Sequence, residues 1–395
     1  MDPGNPDLTE FIREEIRRNG PVPFDWFMEQ ALYHPEFGYY STGQCQIGRR
    51  GDYFTNVSVG PLFGQLLAAQ FAEMWDLLGR PGDFVIAEQG AHQGDFAHDV
   101  LKATRERRPD LFAALQYRII EPFPILRKRQ HARLSDFPGK VVWETALGEM
   151  PPFCGVHFSN ELIDAMPVRL IGRPEDNSGW KERFVDASDD GFNFIAGPIG
   201  NEDLQRHLQK IPPPPTAPYE TEVNLAALEW VEILSQKLKR GFVLAVDYGY
   251  ARGRYYSAER VSGTLQSRAG HRTLPSPLQS VGHADITAHV DWTSLAEGAD
   301  RCGLSLSGFT DQHHFITGLL SRLAAFETVE KGEPGSRRRL QTLLHPELLG
   351  TSFQYLALGK DAPAAQLSGF CLARDARREL ELGGSSAPSL DTSSH

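Results

Sequence analysis

The chain has 395 residues and a formal net charge of −11. That length exceeds the usual single domain, so one large domain with insertions or two domains are expected. No window offers the ~20 consecutive apolar residues of a membrane span, and the acidic balance argues against nucleic acid as the main partner, because phosphate binding wants a basic face. Residues 1–10 carry neither a basic nor an apolar leader, so export is not expected. Cys45, Cys154, Cys302 and Cys371 form no Cys-x-x-Cys pair and read as reduced, mostly buried small hydrophobes of a cytoplasmic protein.

Taken in chain order, residues 8–20 have helical spacing that Asn19-Gly-Pro21 stops, and 23–33 predict a second short helix. Residues 38–64 are rich in glycine and aromatics without a clean period, which predicts an ordered loop region; helical spacing returns over 61–78. An alternating unit follows: strand 84–88, helix 94–107, strand 117–121, helix 124–134, strand 140–143 and strand 156–159. Strands alternating with helices predict a parallel, helix-covered sheet. Residues 169–197 read as a β-rich insertion, and 212–218 as a stiff polyproline linker into a helix over about 224–240. A buried strand at 241–247, a long loop at 251–282 and a helix at 291–303 come next. Residues 305–309 and 352–358 would close the sheet as a final pair, and the Ser/Gly/Pro tail beyond Gly383 is expected to be disordered. The expected units are 1–80, 81–168, 169–240, 241–360 and 361–395.

Three motifs carry candidate chemistry. In Phe84-Val-Ile-Ala-Glu-Gln-Gly-Ala-His-Gln-Gly-Asp-Phe96 an apolar run ends on an acid, and two glycines follow before an amphipathic segment. Such a turn holds a nucleotide-like cofactor at the carboxyl edge of a strand, or is simply an ordinary strand-to-helix turn that needs glycine. Its spacing departs from Gly-x-Gly-x-x-Gly, which weighs against nicotinamide, though the turn alone leaves nicotinamide and S-adenosylmethionine both open. The second motif is Asn160-Glu-Leu-Ile-Asp-Ala-Met-Pro167, directly after a predicted strand. A helix beginning at Asn160 would set Glu161 and Asp164 on one face, where two carboxylates could grip a guanidinium; the alternative is a capping Asn with acids in the first turn. The third combines Gly263-Thr-Leu265, His271 and the 285–292 run, a substrate wall or a metal site; the histidine spacing is irregular, so a metal is not expected. His313-His314 reads as a solvated turn, and 337–339 as a basic helix start or loop.

The blocks Phe37-Gly-Tyr-Tyr40, Ile47-Gly-Arg-Arg-Gly-Asp-Tyr-Phe-Thr55, Pro61-Leu-Phe-Gly64, Glu88-x-Gly90…Gly94, Asn160-Glu-Leu-Ile-Asp-Ala-Met-Pro-Val168, Tyr219-Glu-Thr-Glu-Val-Asn224, Asp247-Tyr-Gly249 and 282–291 together resemble the MidA family, over roughly residues 8–360. Mitochondrial members of that family assist complex I assembly as protein arginine methyltransferases. The resemblance implies an α/β fold with a Rossmann-like seven-stranded methyltransferase sheet and additional helical and β insertions. It also implies S-adenosylmethionine as cofactor and a protein arginine as substrate. On this reading Gly90 and Gly94 shape the turn at the end of the Glu88 strand, Glu121 binds the ribose hydroxyls and Glu144 lies near the adenine. Gly51, Asp52 and Thr55 form a lid, and Asn160, Glu161 and Asp164 form the catalytic set. Two departures are visible: His92 stands where the family's middle glycine falls, and Thr55-Asn-Val-Ser-Val-Gly60 lacks an acid on the cofactor side. They keep a second expectation open, a weakened or inactive protein of the same fold acting as an assembly scaffold.

Overall fold

The computed structural model describes residues 4–43, 45, 55–176, 178–189, 191–214, 216–270, 272–322, 335–345 and 349–383. Gly51, Asp52, His271 and the tail beyond 383, each named above, lie outside them.

A segment such as Phe84–Gln89, buried along nearly its whole length, can form only in a sheet covered on both faces. Seven strands build that sheet: β1 (Phe84–Gln89), β2 (Leu115–Ile120), β3 (Val141–Glu144), β4 (Phe153–Asn160), β5 (Leu238–Tyr250), β6 (Ser305–Asp311) and β7 (Phe353–Lys360). Their order is β3–β2–β1–β4–β5–β7–β6, with the short strand Val290–Asp291 added to the end of β5. The first five are mutually parallel, and β7 runs antiparallel to both its neighbours. The chain steps outward from β1 to β3 and returns to β4 on the other side of β1. The carboxyl ends of β1 and β4 therefore flank a topological switch point, where open α/β sheets bind ligands.

Alternation along the strands divides the core in two. Ile86, Tyr117, Val156, Phe158 and Leu244 face the helices Leu62–Leu77, Asp95–Arg107 and Gln312–Arg322. Val85, Ala87, Val243 and Ala245 face the helices Leu225–Lys237 and Trp292–Arg301. A third core joins regions far apart in sequence: Leu8, Ile12, Phe24 and Phe27 of the helices Pro6–Asn19 and Phe24–Tyr33 pack with Val168, Val185 and Ile286. The first two helices thus sit on the β insertion, whose strands Arg169–Arg173, Lys181–Ser188, Gly191–Gly197 and Tyr219–Val223 form a separate sheet with Val22–Pro23.

The structure corrects four sequence expectations. No helix starts at Asn160; β4 ends there and a tight turn follows. The proline-rich segment leads into the strand Tyr219–Val223 rather than straight into a helix, because that strand completes the insertion sheet beside Arg169–Arg173. The supposed long loop at 251–282 holds the helix Arg252–Tyr255 and the strand Gln266–Ala269, which pairs with Asp285–Thr287. His313 and His314 lie in the helix Gln312–Arg322.

Close strand approach makes two glycines obligatory. A Cβ on Gly155 (φ +151°) would lie 1.9 Å from the Val85 carbonyl oxygen, and one on Gly241 (φ +143°) 1.8 Å from that of Gly155. Gly155→Ala should destabilise the fold by about 3 kcal/mol or more, read as a lower denaturation midpoint at unchanged m-value.

Candidate active site

The segments leaving β1, β2 and β4 enclose a cavity of about 640 Å³. After Gln89 the chain must turn at once into the helix Asp95–Arg107, and it does so through positive φ at Gly90 (+84°), His92 (+45°) and Gly94 (+85°). Glycine takes that backbone freely, whereas a residue with a side chain is strained there by roughly 1–2 kcal/mol. His92 is held in place from outside. Gln130 Nε2 donates to its carbonyl at 2.8 Å, and its ring donates to the Cys45 backbone. Among the described residues the imidazole Nε2 is buried without a partner, and burial lowers the ring's pKa, which favours the neutral ring.

Two carboxyls stand over the turn. Glu88, last but one in β1, accepts from Tyr117 Oη at 2.7 Å, and burial pushes its pKa up to about 8. Glu121, just past β2, accepts from the Phe123 amide at 3.0 Å and Gln130 Nε2 at 2.9 Å; burial raises it to about 7 against those donors. Gln130 thus braces the glycine turn and the second acid together, and its Oε1 accepts from Trp143 Nε1 at 2.9 Å.

The opposite wall is the 160–165 turn. Glu161 sits at φ +52°, and its Oε1 accepts from Asn160 Nδ2 at 2.9 Å. Asp247, on β5, gathers the following backbone. Its Oδ2 accepts from the amides of Leu162, Ile163 and Asp164 at 3.2, 2.8 and 3.2 Å, and its Oδ1 from Tyr248 at 2.8 Å. The carbonyls of the turn are held as well: Asn224 Nδ2 donates to Ile163 (3.1 Å), the Ala288 amide to Asp164 (2.8 Å), and Tyr33 Oη to Ala165 (2.9 Å). Tyr40 Oη donates to Asp285 at 2.7 Å, and the Tyr33 and Tyr40 rings stack at 5.5 Å on the cavity wall. Burial first, then mutual repulsion among Glu161, Asp164, Asp247 and Asp285, holds the Glu161 and Asp164 carboxyls well above the usual range.

Of the residues expected in the site, Thr55, Glu88, Gly90, Glu121, Asn160 and Glu161 line the one cavity. Gly94 caps the helix behind it. Asp164 is buried behind the 160–165 turn, and Glu144 pairs with Arg118 at 3.3 Å while its neighbours Thr145 and Ala146 reach the cavity. Sequence reasoning did not single out Tyr33, Asn56 or Gln130. Tyr33 is an ordinary helix-end aromatic in sequence, Gln130 has no local mark, and Asn56 stood only inside the quoted 55–60 departure without a role. Tyr40, Asp247 and Asp285 stood in quoted blocks without a role.

Asp247→Ala would strand three consecutive buried amides. We expect a loss on the order of 3 kcal/mol in unfolding free energy and faster hydrogen exchange at residues 162–164 than elsewhere in the sheet. Glu88 gives a pH prediction. Because its folded pKa is raised above the unfolded value, its contribution is complete below about 4.5 and is lost as pH rises through about 8. Thermal scans from pH 6 to 9 should show a smaller alkaline loss of Tm for Glu88→Gln than for the wild type; equal slopes would deny Glu88 that part.

Comparison with known proteins agrees with this geometry. A family model of S-adenosyl-L-methionine-dependent methyltransferases matches residues 66–310. A crystal structure of a Burkholderia thailandensis protein bound to S-adenosyl-homocysteine matches with a TM-score of 0.82 at 30% identity, over 93% of this chain and 97% of that one. The mitochondrial protein arginine methyltransferase NDUFAF7 homolog of Drosophila melanogaster is 27% identical, covering 92% of this chain and 87% of its own length. Its human counterpart is 24% identical, with 95% and 89% covered. These relatives overturn the cytoplasmic placement expected from the sequence, since they are named as mitochondrial. Reduced cysteines do not distinguish the two compartments. With its sheet order, its glycine turn and these matches, the chain belongs to the S-adenosyl-L-methionine-dependent methyltransferase family.

Proposed function

We propose that this chain methylates the guanidinium of an arginine in a protein substrate. The observation that carries the reading is Glu161, a carboxylate fixed on the wall of the cofactor cavity by a turn pinned from four sides. The relatives named as protein arginine methyltransferases support the acceptor class.

The walls suit the cofactor. Gly90 leaves the turn bare on the cavity side, where an added Cβ would first meet Leu162 Cδ1 at 3.6 Å. Glu121 offers carboxylate oxygens to ribose hydroxyls, and the orphaned His92 Nε2 is an acceptor lacking a donor. His92 lines the 640 Å³ cavity without filling it, so the departure from glycine leaves room for the ligand. Thr55 and Ser58, joined by a 3.0 Å hydroxyl contact, close the same wall. S-adenosylmethionine supplies a sulfonium methyl already activated for transfer.

The protein's remaining task is to align the acceptor and manage one proton. A guanidinium arrives charged, its pKa above ~12. Glu161 accepts its N–H groups, which fixes the plane of the group and leaves one nitrogen facing the donor side. Asp164, Asp247 and Asp285 around Glu161 add negative potential that would stabilise the extra positive charge as N–CH3 replaces S–CH3, S-adenosylhomocysteine leaves and the nitrogen's proton passes to the Glu161 carboxylate. Asn160 holds Glu161 in register.

Transfer from tritium-labelled S-adenosylmethionine to an arginine-containing peptide array tests the proposal, with lysine replacing arginine as control. Glu161→Gln should lower kcat by about 100-fold or more while S-adenosylhomocysteine affinity stays within about 3-fold. The raised Glu161 pKa sets the sign of the pH dependence: wild-type kcat/KM climbs toward alkaline pH as the carboxyl ionises, and the Gln variant loses that limb. Equal losses of binding and turnover would remove Glu161 from the acceptor side.

A further inference from the structure

The segment 55–58 has two faces. Thr55, Val57 and Ser58 line the cavity; Asn56, between them and fully buried, does not. Its Nδ2 donates to Asn160 Oδ1 at 3.2 Å, and Asn160 Nδ2 donates in turn to Glu161 Oε1 at 2.9 Å. The Asn56 backbone amide also reaches the Glu161 carboxylate. The two side-chain amides therefore run in one sense, each presenting its donor end toward Glu161. That sense leaves Asn56 Oδ1 buried without a partner among the described residues. Reversing both amides would leave a buried NH₂ unpartnered instead, and an orphaned donor is the rarer and costlier case.

We propose that Asn56 is a positioning residue for methyl transfer: through Asn160 it turns amide donors onto Glu161 and aims that carboxyl for a planar cation. The proposal rests on Glu161 as the group that holds the acceptor. It links the wall of the cofactor cavity to the acceptor side over 104 residues of sequence. The donors are needed because the acids facing Glu161 among the described residues oppose its charge, with only neutral phenols beside them. Asp164 lies on its own turn, Asp247 and Tyr248 on β5, Asp285 on the strand Asp285–Thr287, and the Tyr355 phenol on β7. None of these is a cation, and the site is buried. A directed pair of amides is the counterweight the fold provides.

Asn56→Asp and Asn56→Ala together separate this role from space-filling. Asn56→Asp keeps the side-chain size but replaces the donor with an acceptor. Asn160 must then turn its Nδ2 toward residue 56, which brings Oδ1 against Glu161 and favours the protonated carboxyl. Asn56→Ala removes the donor without reversing Asn160. The Asp carboxyl also repels Glu161 directly, so the Ala variant decides: there a merely space-filling residue leaves the Glu161 midpoint unmoved, and a positioning residue raises it.

The primary readout is infrared difference spectroscopy of the full-length protein with S-adenosylhomocysteine bound. The protonated Glu161 band is assigned by its loss in Glu161→Gln and titrated against pH. Asn56→Asp should raise the midpoint by about one unit or more, equivalent to a tenfold change in ionisation, and Asn56→Ala by less. Calorimetric affinity for S-adenosylhomocysteine should stay within about 3-fold in both. With an arginine peptide as acceptor, the acidic limb of kcat/KM should move by the same interval.

An unchanged Glu161 midpoint in the variants overturns the proposal, as does S-adenosylhomocysteine affinity falling in step with turnover. If Asn56→Asp does not fold, Asn56→Ala decides alone: a raised midpoint supports the role and an unmoved one ends it. If the wild type transfers no methyl to arginine peptides while the midpoint still shifts, the arginine reading fails and the Asn56 role stands.

Discussion

One carboxylate organises the wall of the cavity that faces the glycine turn. Asp247 accepts the amides of Leu162, Ile163 and Asp164 on one oxygen and that of Tyr248 on the other. Hydrogen bonds are worth roughly 0.5–1.5 kcal/mol net each, so the four together offset the strain of about 1–3 kcal/mol that positive φ imposes on Glu161. The chain leaving β4 is therefore bent back over the switch point instead of continuing into a helix. Asn224, Ala288 and Tyr33 then fix the three carbonyls of the same turn, so the insertion, the second half of the sheet and the N-terminal helices all bear on one short segment.

The arrangement is electrostatically tense. Glu161, Asp164, Asp247 and Asp285 share a buried region, and burial together with mutual repulsion opposes ionisation of Glu161 and Asp164. A fully formed hydrophobic site would be more stable, since burying unpaired charge costs far more than it returns. The tension suits a site that receives a cation: on the proposed reading, a guanidinium beside Glu161 supplies a countercharge. The wall at the glycine turn has a milder version: Glu88 and Glu121 are raised by burial and steadied by Tyr117, Phe123 and Gln130.

Much of the scaffold was legible in the sequence. The alternating strands and helices between 84 and 160, the β-rich insertion after 169 and the closing pair of strands follow from period and turn chemistry, and they appear as read. The glycine turn was legible because positive φ leaves a compositional trace. The 160–165 turn was misread as a helix start, since Asn followed by acids writes an N-cap equally well. What decides between them is a carboxylate some 80 residues later that satisfies the backbone amides a helix would have used. Asn56 left no local signal: an asparagine in a polar loop is unremarkable until its partner 104 residues away is placed beside it.

The sequence by itself determined what short-range physics can encode: which segments bury both faces, where the backbone needs glycine, and that acids cluster at strand ends. The tertiary structure decided which acids face the cavity and which stand behind it. Glu161 and Asp164 look equivalent in the chain, yet one lines the cavity and the other lies behind the turn. The reason is that side-chain direction in a tight turn is set by where its amides and carbonyls are satisfied, and here those partners come from Asp247, Asn224, Ala288 and Tyr33, all distant in sequence.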